Sequence, residues 1–201
     1  MAERGKKIHV YAHWEDMAEA ELMGLLSVSE SRGKEIFSFA YDETWLASRE
    51  RVLLDPGLQF YPGPQYLYDE KPNFGLFTDS SPDRWGRMLI RRREAFDARS
   101  HGRPEKRLLE SDFLLGVYDG SRMGGLRYKT DINGEFLDNN PTFATPPWTS
   151  IRELENASLK LEEEDAEKSS SYRLWLNLLV APGSSLGGAR PKAGVCLLPL
   201  T

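Results

Sequence analysis

A chain of 201 residues with 40% hydrophobic side chains suits one or two small domains with a real core. A net charge of −5 and a sequence pI near 5.4 argue against broad nucleic-acid binding through this chain. The lone Cys196 lies in an apolar run; it excludes an internal disulfide or a thiolate zinc site and reads as a small buried hydrophobe.

The opening segment Met1 to Lys7 is basic, but no apolar stretch follows it, so no secretory signal is expected. No apolar run approaches membrane-spanning length, and the expectation is a cytoplasmic protein with no membrane partner.

Ile8, Val10, Ala12 and Trp14 alternate with His9, Tyr11 and His13, which predicts a strand with one buried face. His9 and His13 share the polar face. A metal site needs three or four ligands and no third is near, so they read as solvated strand histidines. Met23 to Glu30 and Glu35 to Tyr41 predict two more strands, joined through the turn Ser31-Arg32-Gly33-Lys34. Glu43 to Ser48 adds a short helical turn. Asp55 to Pro64 carries three prolines and two glycines and reads as irregular. Phe60, Tyr61, Tyr66 and Tyr68 are expected to pack over the sheet, with a ligand-stacking surface as the alternative.

Ser80-Ser81-Pro82-Asp83 predicts a helix start, with Ser81 as cap, Pro82 at the first helical position and Asp83 at the positive end of the dipole. Trp85, Met88, Leu89 and Phe96 form its apolar stripe. Arg84, Arg87, Arg91, Arg92 and Arg93 read as a solvated basic face, the alternative being a partner or nucleic-acid surface. Pro104 is expected to open a second helix carrying Leu108, Leu109, Phe113, Leu114 and Val117. Asp119-Gly120-Ser121-Arg122 signals a turn, and Met123 to Tyr128 a strand returning to the sheet, with close packing or a bulge at Gly124-Gly125. Thr130 to Thr149 is rich in Asn, Pro, Gly and Thr and predicts a subdomain boundary. Thr149-Ser150 caps a helix carrying Ile151, Leu154 and Leu161, after which the acidic run Glu162 to Asp165 reads as a solvated helix end. Tyr172 to Val180 predicts the helix that leads into the last motif.

That motif is Gly183-Ser184-Ser185-Leu186-Gly187-Gly188-Ala189-Arg190-Pro191-Lys192, followed by a strand-like Ala193 to Leu198. Glycines can turn successive amides inward to form a concave anion site, for which phosphate is the usual guest. A Walker loop is rejected because Ala189 stands where the lysine belongs, and a dinucleotide-binding Gly-x-Gly-x-x-Gly fails on spacing. A glycine loop leading into a strand remains, as protein kinases use over ATP phosphates, or else a surface turn.

The segment Leu176 to Ala193 closely resembles the glycine-rich segment of the HipA family, the Ser/Thr-kinase-like toxins of bacterial toxin–antitoxin systems. Two upstream blocks fit the same family: Phe77 through Ser81-Pro82-Asp83-Arg84-Trp85-Gly86-Arg87, and Asp112 to Val117 with Asp119, Arg122 and Gly124-Gly125-Leu126-Arg127. The three ordered matches span roughly Met23 to Lys192. The resemblance implies an α+β fold: residues 1–130 as a subdomain with an antiparallel sheet or partial barrel and packed helices, and residues 131–201 as the start of a kinase-like N-lobe.

It further implies that Ser185, Leu186, Gly187, Gly188, Ala189 and Lys192 contribute to an ATP phosphate-binding loop. Ser185 aligns with a serine at which some members autophosphorylate, and Lys192 would meet phosphate as a point charge. The lysine strand, the catalytic Asp and the Mg²⁺-binding Asp of the family lie in a region beyond Thr201. No catalytic or metal-ligating residue is therefore assigned here, and ATP and Mg²⁺ are expected in a complete protein. The chain is expected to be a fragment, a split-gene product or a separate regulatory subunit. Implied partners are a helix-turn-helix, HipB-like antitoxin, DNA only through that antitoxin, and an aminoacyl-tRNA synthetase as substrate. The alternative is a non-catalytic module that binds an antitoxin or a separately encoded kinase core.

Overall fold

Strand alternation sets the architecture. In β1 (Lys6–Ala12) every second residue, Ile8, Val10 and Ala12, is fully buried. The same period recurs in β2 (Glu21–Ser31) and β3 (Lys34–Tyr41), which bury Leu26, Val28, Phe37 and Phe39. The computed structural model describes residues 5–67, 71–139, 151–163 and 166–183. The predicted α+β class holds: β4 (Gln65–Tyr66) and β5 (Leu126–Lys129) complete a five-stranded antiparallel sheet of order β4-β3-β2-β1-β5.

The β2–β3 hairpin turns on Arg32 and Gly33, with φ of 51° and 74°. Positive φ at both central residues gives a two-residue turn whose twist matches that of the strands. Gly24 lets β3 approach closely: a Cβ there would lie 2.3 Å from the Ala40 carbonyl oxygen and 2.6 Å from Phe39 Cζ.

The sheet stays open and does not curl into the expected partial barrel. β4 pairs only Gln65 and Tyr66 with β3, and Pro62 and Pro64 beside it lack the N–H that would extend the ladder. At the other edge, β5 meets a single bridge, Tyr128 to Leu137.

The inner face packs against α1 (Glu43–Ala47), α2 (Gly75–Asp79) and α4 (Glu110–Leu115), through Trp45, Phe77 and Leu114. Ring centroids run Phe39 to Phe77 at 5.3 Å and Phe77 to Tyr128 at 6.5 Å, both edge-on as aromatic quadrupoles prefer. The expected packing of aromatics over the sheet holds for Phe60, 5.3 Å from Tyr41, while Tyr66 stays 56% exposed; Tyr68 lies outside the described residues.

The long α3 (Arg84–Ser100) starts two residues later than its sequence suggests. Asp83 is the N-cap and accepts from Gly86 N at 2.7 Å. Ser81 instead donates its hydroxyl to the Phe77 carbonyl, which leaves it bonded backwards and Pro82 outside the helix. Residues 104–109 are not helical; α4 begins only at Glu110, where Asp112 accepts from Leu109 N at 3.0 Å. The expected stripe on α3 does form a core: Trp85 and Leu89 pack with Leu154 and Leu161 of α5 (Ile151–Glu162) and with Tyr172, Leu176 and Leu179 of α6 (Tyr172–Gly183). The proposed caps of α5, Thr149 and Ser150, lie outside the described residues.

Candidate functional site

The two upstream blocks singled out in the sequence meet around one side chain. Arg122 donates from Nη1 to the Ser80 carbonyl at 3.1 Å and from Nη2 to the carbonyls of Val117 and Leu137 at 3.0 and 3.2 Å. Its guanidinium carbon lies 4.6 Å from the centre of the Tyr128 ring, a cation–π distance. Nε is sealed from solvent with no hydrogen-bond partner among the described residues. Burial pulls the Arg122 pKa below its ordinary value, against the opposing influence of Tyr128, Asp119 and Asp138.

Tyr128 is fully buried, and burial pushes its phenol up to about 12, with the Arg122 guanidinium working in the opposite direction. The Tyr128 and Ser80 hydroxyls are both sealed from water without a hydrogen-bond partner among the described residues. In the sequence Arg122 stands both in a turn signal and in the second of the two blocks. Its role depends on carbonyls from three separate segments, so only the spacing of the two blocks could have hinted at it.

Beside this cluster lies an apolar cavity of about 350 Å³, walled by Trp14, Leu54, Leu76, Ser80, Met123 and Gly125. Gly125 shapes it: a Cβ there would stand 2.9 Å from Trp14 Cε3, so the close packing expected at Gly124-Gly125 is present. Gly124 has φ of 84°, which favours glycine.

A second cavity of similar size separates α3 from residues 106–116 and 137–138, and two ion pairs lie in its lining. Lys106 meets Asp112 at 2.7 Å and Arg93 meets Asp138 at 3.4 Å. Asp112 is desolvated, which raises its pKa, but Lys106, the Leu109 amide and Lys6 outweigh this and hold it below the usual carboxylate value.

The arginines of α3 are not the uniform solvated face that the sequence suggests. Arg87 forms a bidentate pair with Glu110 at 2.6 and 2.7 Å, donates to the Pro82 carbonyl, and lies over the Phe113 ring at 4.8 Å. Arg92 donates to the Leu161 carbonyl at 2.6 Å. These contacts tie α3 to its neighbours; Arg84 and Arg91 remain exposed. Asp55, overlooked in the sequence, is buried and accepts from Gly57 N at 2.7 Å and Leu76 N at 2.9 Å, joining the Asp-Pro-Gly turn to α2.

His9 and His13 are half-buried, with His13 Nδ1 3.5 Å from Arg127 Nη1. Among the described residues no group of three His, Cys, Asp or Glu comes together to hold a metal, and no helix is long and apolar enough to cross a membrane. The proposed phosphate loop, Ser185, Leu186, Gly187, Gly188, Ala189 and Lys192, lies outside the described residues, as does Cys196; α6 is the last described element before it. No family model, no curated protein and no solved structure matches the chain.

Proposed function

We propose that the chain is the N-terminal portion of a HipA-like Ser/Thr protein kinase toxin. In this reading it supplies a sheet-and-helix subdomain and the entry to a kinase-like N-lobe. The observation that supports it is the joining of the Phe77–Arg87 block to the block that runs from Asp112 to Arg127, through the Arg122 bond to the Ser80 carbonyl. Arg122 of one motif thus holds the backbone of the other, as a shared fold would demand. The loop Ser185 to Lys192 would contribute to ATP phosphate binding, with Mg²⁺ and the catalytic Asp supplied by sequence beyond Thr201. A helix-turn-helix antitoxin and an aminoacyl-tRNA synthetase are the proposed partner and substrate.

The test is to read the coding DNA past Thr201 and express the extended protein. Transfer of the ATP γ-phosphate to a synthetase, abolished by Asp→Asn at the catalytic position of the extension, supports the kinase. In the extended protein Ser185→Asp should weaken ATP binding, since a fixed negative charge would face the triphosphate, while Ser185→Ala should leave it nearly intact. An extension without a kinase core, together with tight binding of the 201-residue chain to a separately encoded kinase or antitoxin, replaces this reading with that of a non-catalytic module.

A further inference from the structure

The outer face of the sheet is segregated by charge. The five strands contain three carboxylates, Glu21, Glu30 and Glu35, and strand alternation puts all three on the inner side. Glu35 confirms its side by accepting from Ser111 N at 2.9 Å, and Glu21 by accepting from Ser48 Oγ at 3.3 Å, both partners belonging to the helical layer or its border. The outward positions hold Lys7, Lys34, Arg127 and Lys129, with His9 between them.

Register places these residues in adjacent rows. Arg127 stands opposite Tyr11, Lys129 opposite His9, and Lys7 opposite Ser27, which in turn faces Ser38 and then Tyr66. In a chain of net charge −5, a sheet face to which the strands contribute no carboxylate is a local reversal of sign, although Asp119 reaches Arg127 at its edge. Arg127 is partly neutralised by Asp119 at 2.5 Å; among the described residues Lys7, Lys34 and Lys129 form no ion pair.

Aromatic rings lie among the cations. Phe136 packs edge-on to Tyr11 at 5.2 Å, and Lys129 lies 5.2 Å from the Tyr11 ring and 4.6 Å from the Phe136 ring. Across the sheet, Tyr66 is 56% exposed. Between the two aromatic ends the outward positions hold the small Ser27, Ser38 and Ala40 together with the apolar Leu25 and the exposed Ile36, against which a flat partner would lie.

We infer that this open sheet face binds single-stranded nucleic acid. Lys7, Lys34 and Lys129 contact phosphates, and the exposed Tyr66 ring offers a face for an unstacked base, the Phe136 ring being already covered by Arg127 at 3.7 Å and Lys129 at 4.6 Å. Cations with interleaved rings on an exposed sheet are the two components of a single-strand platform: phosphate charge supplies affinity and stacking tolerates any base. An acidic peptide would satisfy the lysines but would leave the exposed Tyr66 ring without a partner. The overall acidity of the chain then restricts binding to this one face.

The test uses the full 201-residue chain and fluorescence anisotropy with fluorescein-labelled oligouridine and oligothymidine. Three phosphate contacts should make log Kd rise with log salt with a slope of about 2. Lys7→Glu with Lys129→Glu should weaken binding about tenfold or more at low salt, while Arg84→Glu with Lys160→Glu, which changes the net charge equally on the helical side, should move Kd less than about twofold. Tyr66→Ala should weaken binding about fivefold or more without altering the salt slope, because it removes stacking and no charge. Lys34→Glu at the hairpin end is the independent variant should the double reversal fail to fold. A tighter RNA than DNA complex would assign the ribose hydroxyls a role. Equal loss in the face and control reversals, no binding of either oligonucleotide by the folded chain, or displacement of the oligonucleotide by polyglutamate at equal charge concentration would each overturn the inference.

Discussion

Arg122 Nη1 donates to the carbonyl oxygen of Ser80, 42 residues earlier in the chain, at 3.1 Å. That bond closes the segment before α3 onto the segment before β5. Two further carbonyls share the same guanidinium, so three backbone acceptors lose their donor together if it is removed. Arg122→Ala should lower unfolding free energy by about 3 kcal/mol or more, the sum expected when several buried acceptors are orphaned. Arg122→Lys should recover only part, since an ammonium cannot present the planar fork. Urea denaturation checks both, with Arg84→Ala as the exposed reference; equal effects of Arg122→Ala and Arg84→Ala would show the cluster to be unimportant.

Tyr128→Phe should change stability at neutral pH by less than about 1 kcal/mol, because the hydroxyl it removes has no hydrogen-bond partner. The effect appears in alkali. The folded phenol is raised to about 12, so the unfolded chain ionises first. The native state therefore has its full advantage below about pH 10 and loses it as pH rises toward 12. Thermal melts from pH 9 upward should show a shallower alkaline decline for Tyr128→Phe than for the parent. Tyr41, also raised to about 12 by burial and by Asp55, and Tyr11, raised by burial, contribute to the decline that remains.

Asp112 sets an acid limit. Its folded pKa lies below the ordinary value, so the unfolded chain takes up the proton first as pH falls. The stability it contributes is present above about pH 4 and is lost below it. Asp112→Asn should lower stability at neutral pH and flatten the decline between pH 4 and 2. Parallel acid limbs in parent and variant would place the titrating group elsewhere.

Gly24→Ala should be among the most damaging single substitutions in the sheet. The added carbon would meet a backbone oxygen at 2.3 Å, and backbone in the middle of a ladder cannot move aside as a side chain would. A loss of about 3 kcal/mol or more, or failure to accumulate as folded protein, is expected. Gly63→Ala, where φ is 110° but nothing lies within 4 Å, isolates the purely conformational penalty.

Local patterns were legible where a single period or cap decides the outcome. Ile8, Val10 and Ala12 announce β1 because every second residue must be apolar when one face is buried. Trp85 and Leu89 announce the inward side of α3. The start of α3 was misplaced because Ser81 and Asp83 can both cap, and only the tertiary position of Phe77, whose carbonyl takes the Ser81 hydroxyl, decides between them. β4 was missed because two residues carry no period. The pairing of α3 arginines with Glu110, Asp138 and the Leu161 carbonyl was missed because those partners lie 23 to 69 residues away. The charge segregation of the sheet was present in the strands all along, but it emerges only once register fixes which side each glutamate takes.

The strand order also sets a schedule for synthesis. β1, β2 and β3 are consecutive hairpin neighbours, whereas β5 pairs with β1 through residues 126–129 against 9–12. Short-range pairings close quickly, and distant ones wait for the intervening chain. As the polypeptide leaves the ribosome, the meander can form once Tyr41 has emerged, yet Phe39 and Leu26 remain uncovered until Phe77, Leu114 and Tyr128 arrive. During that interval the nascent chain displays a greasy sheet with no lid, the form most prone to aggregate or to recruit a chaperone. Slowing translation between Tyr41 and Phe77 should therefore reduce soluble yield while leaving the stability of the molecules that do fold unchanged.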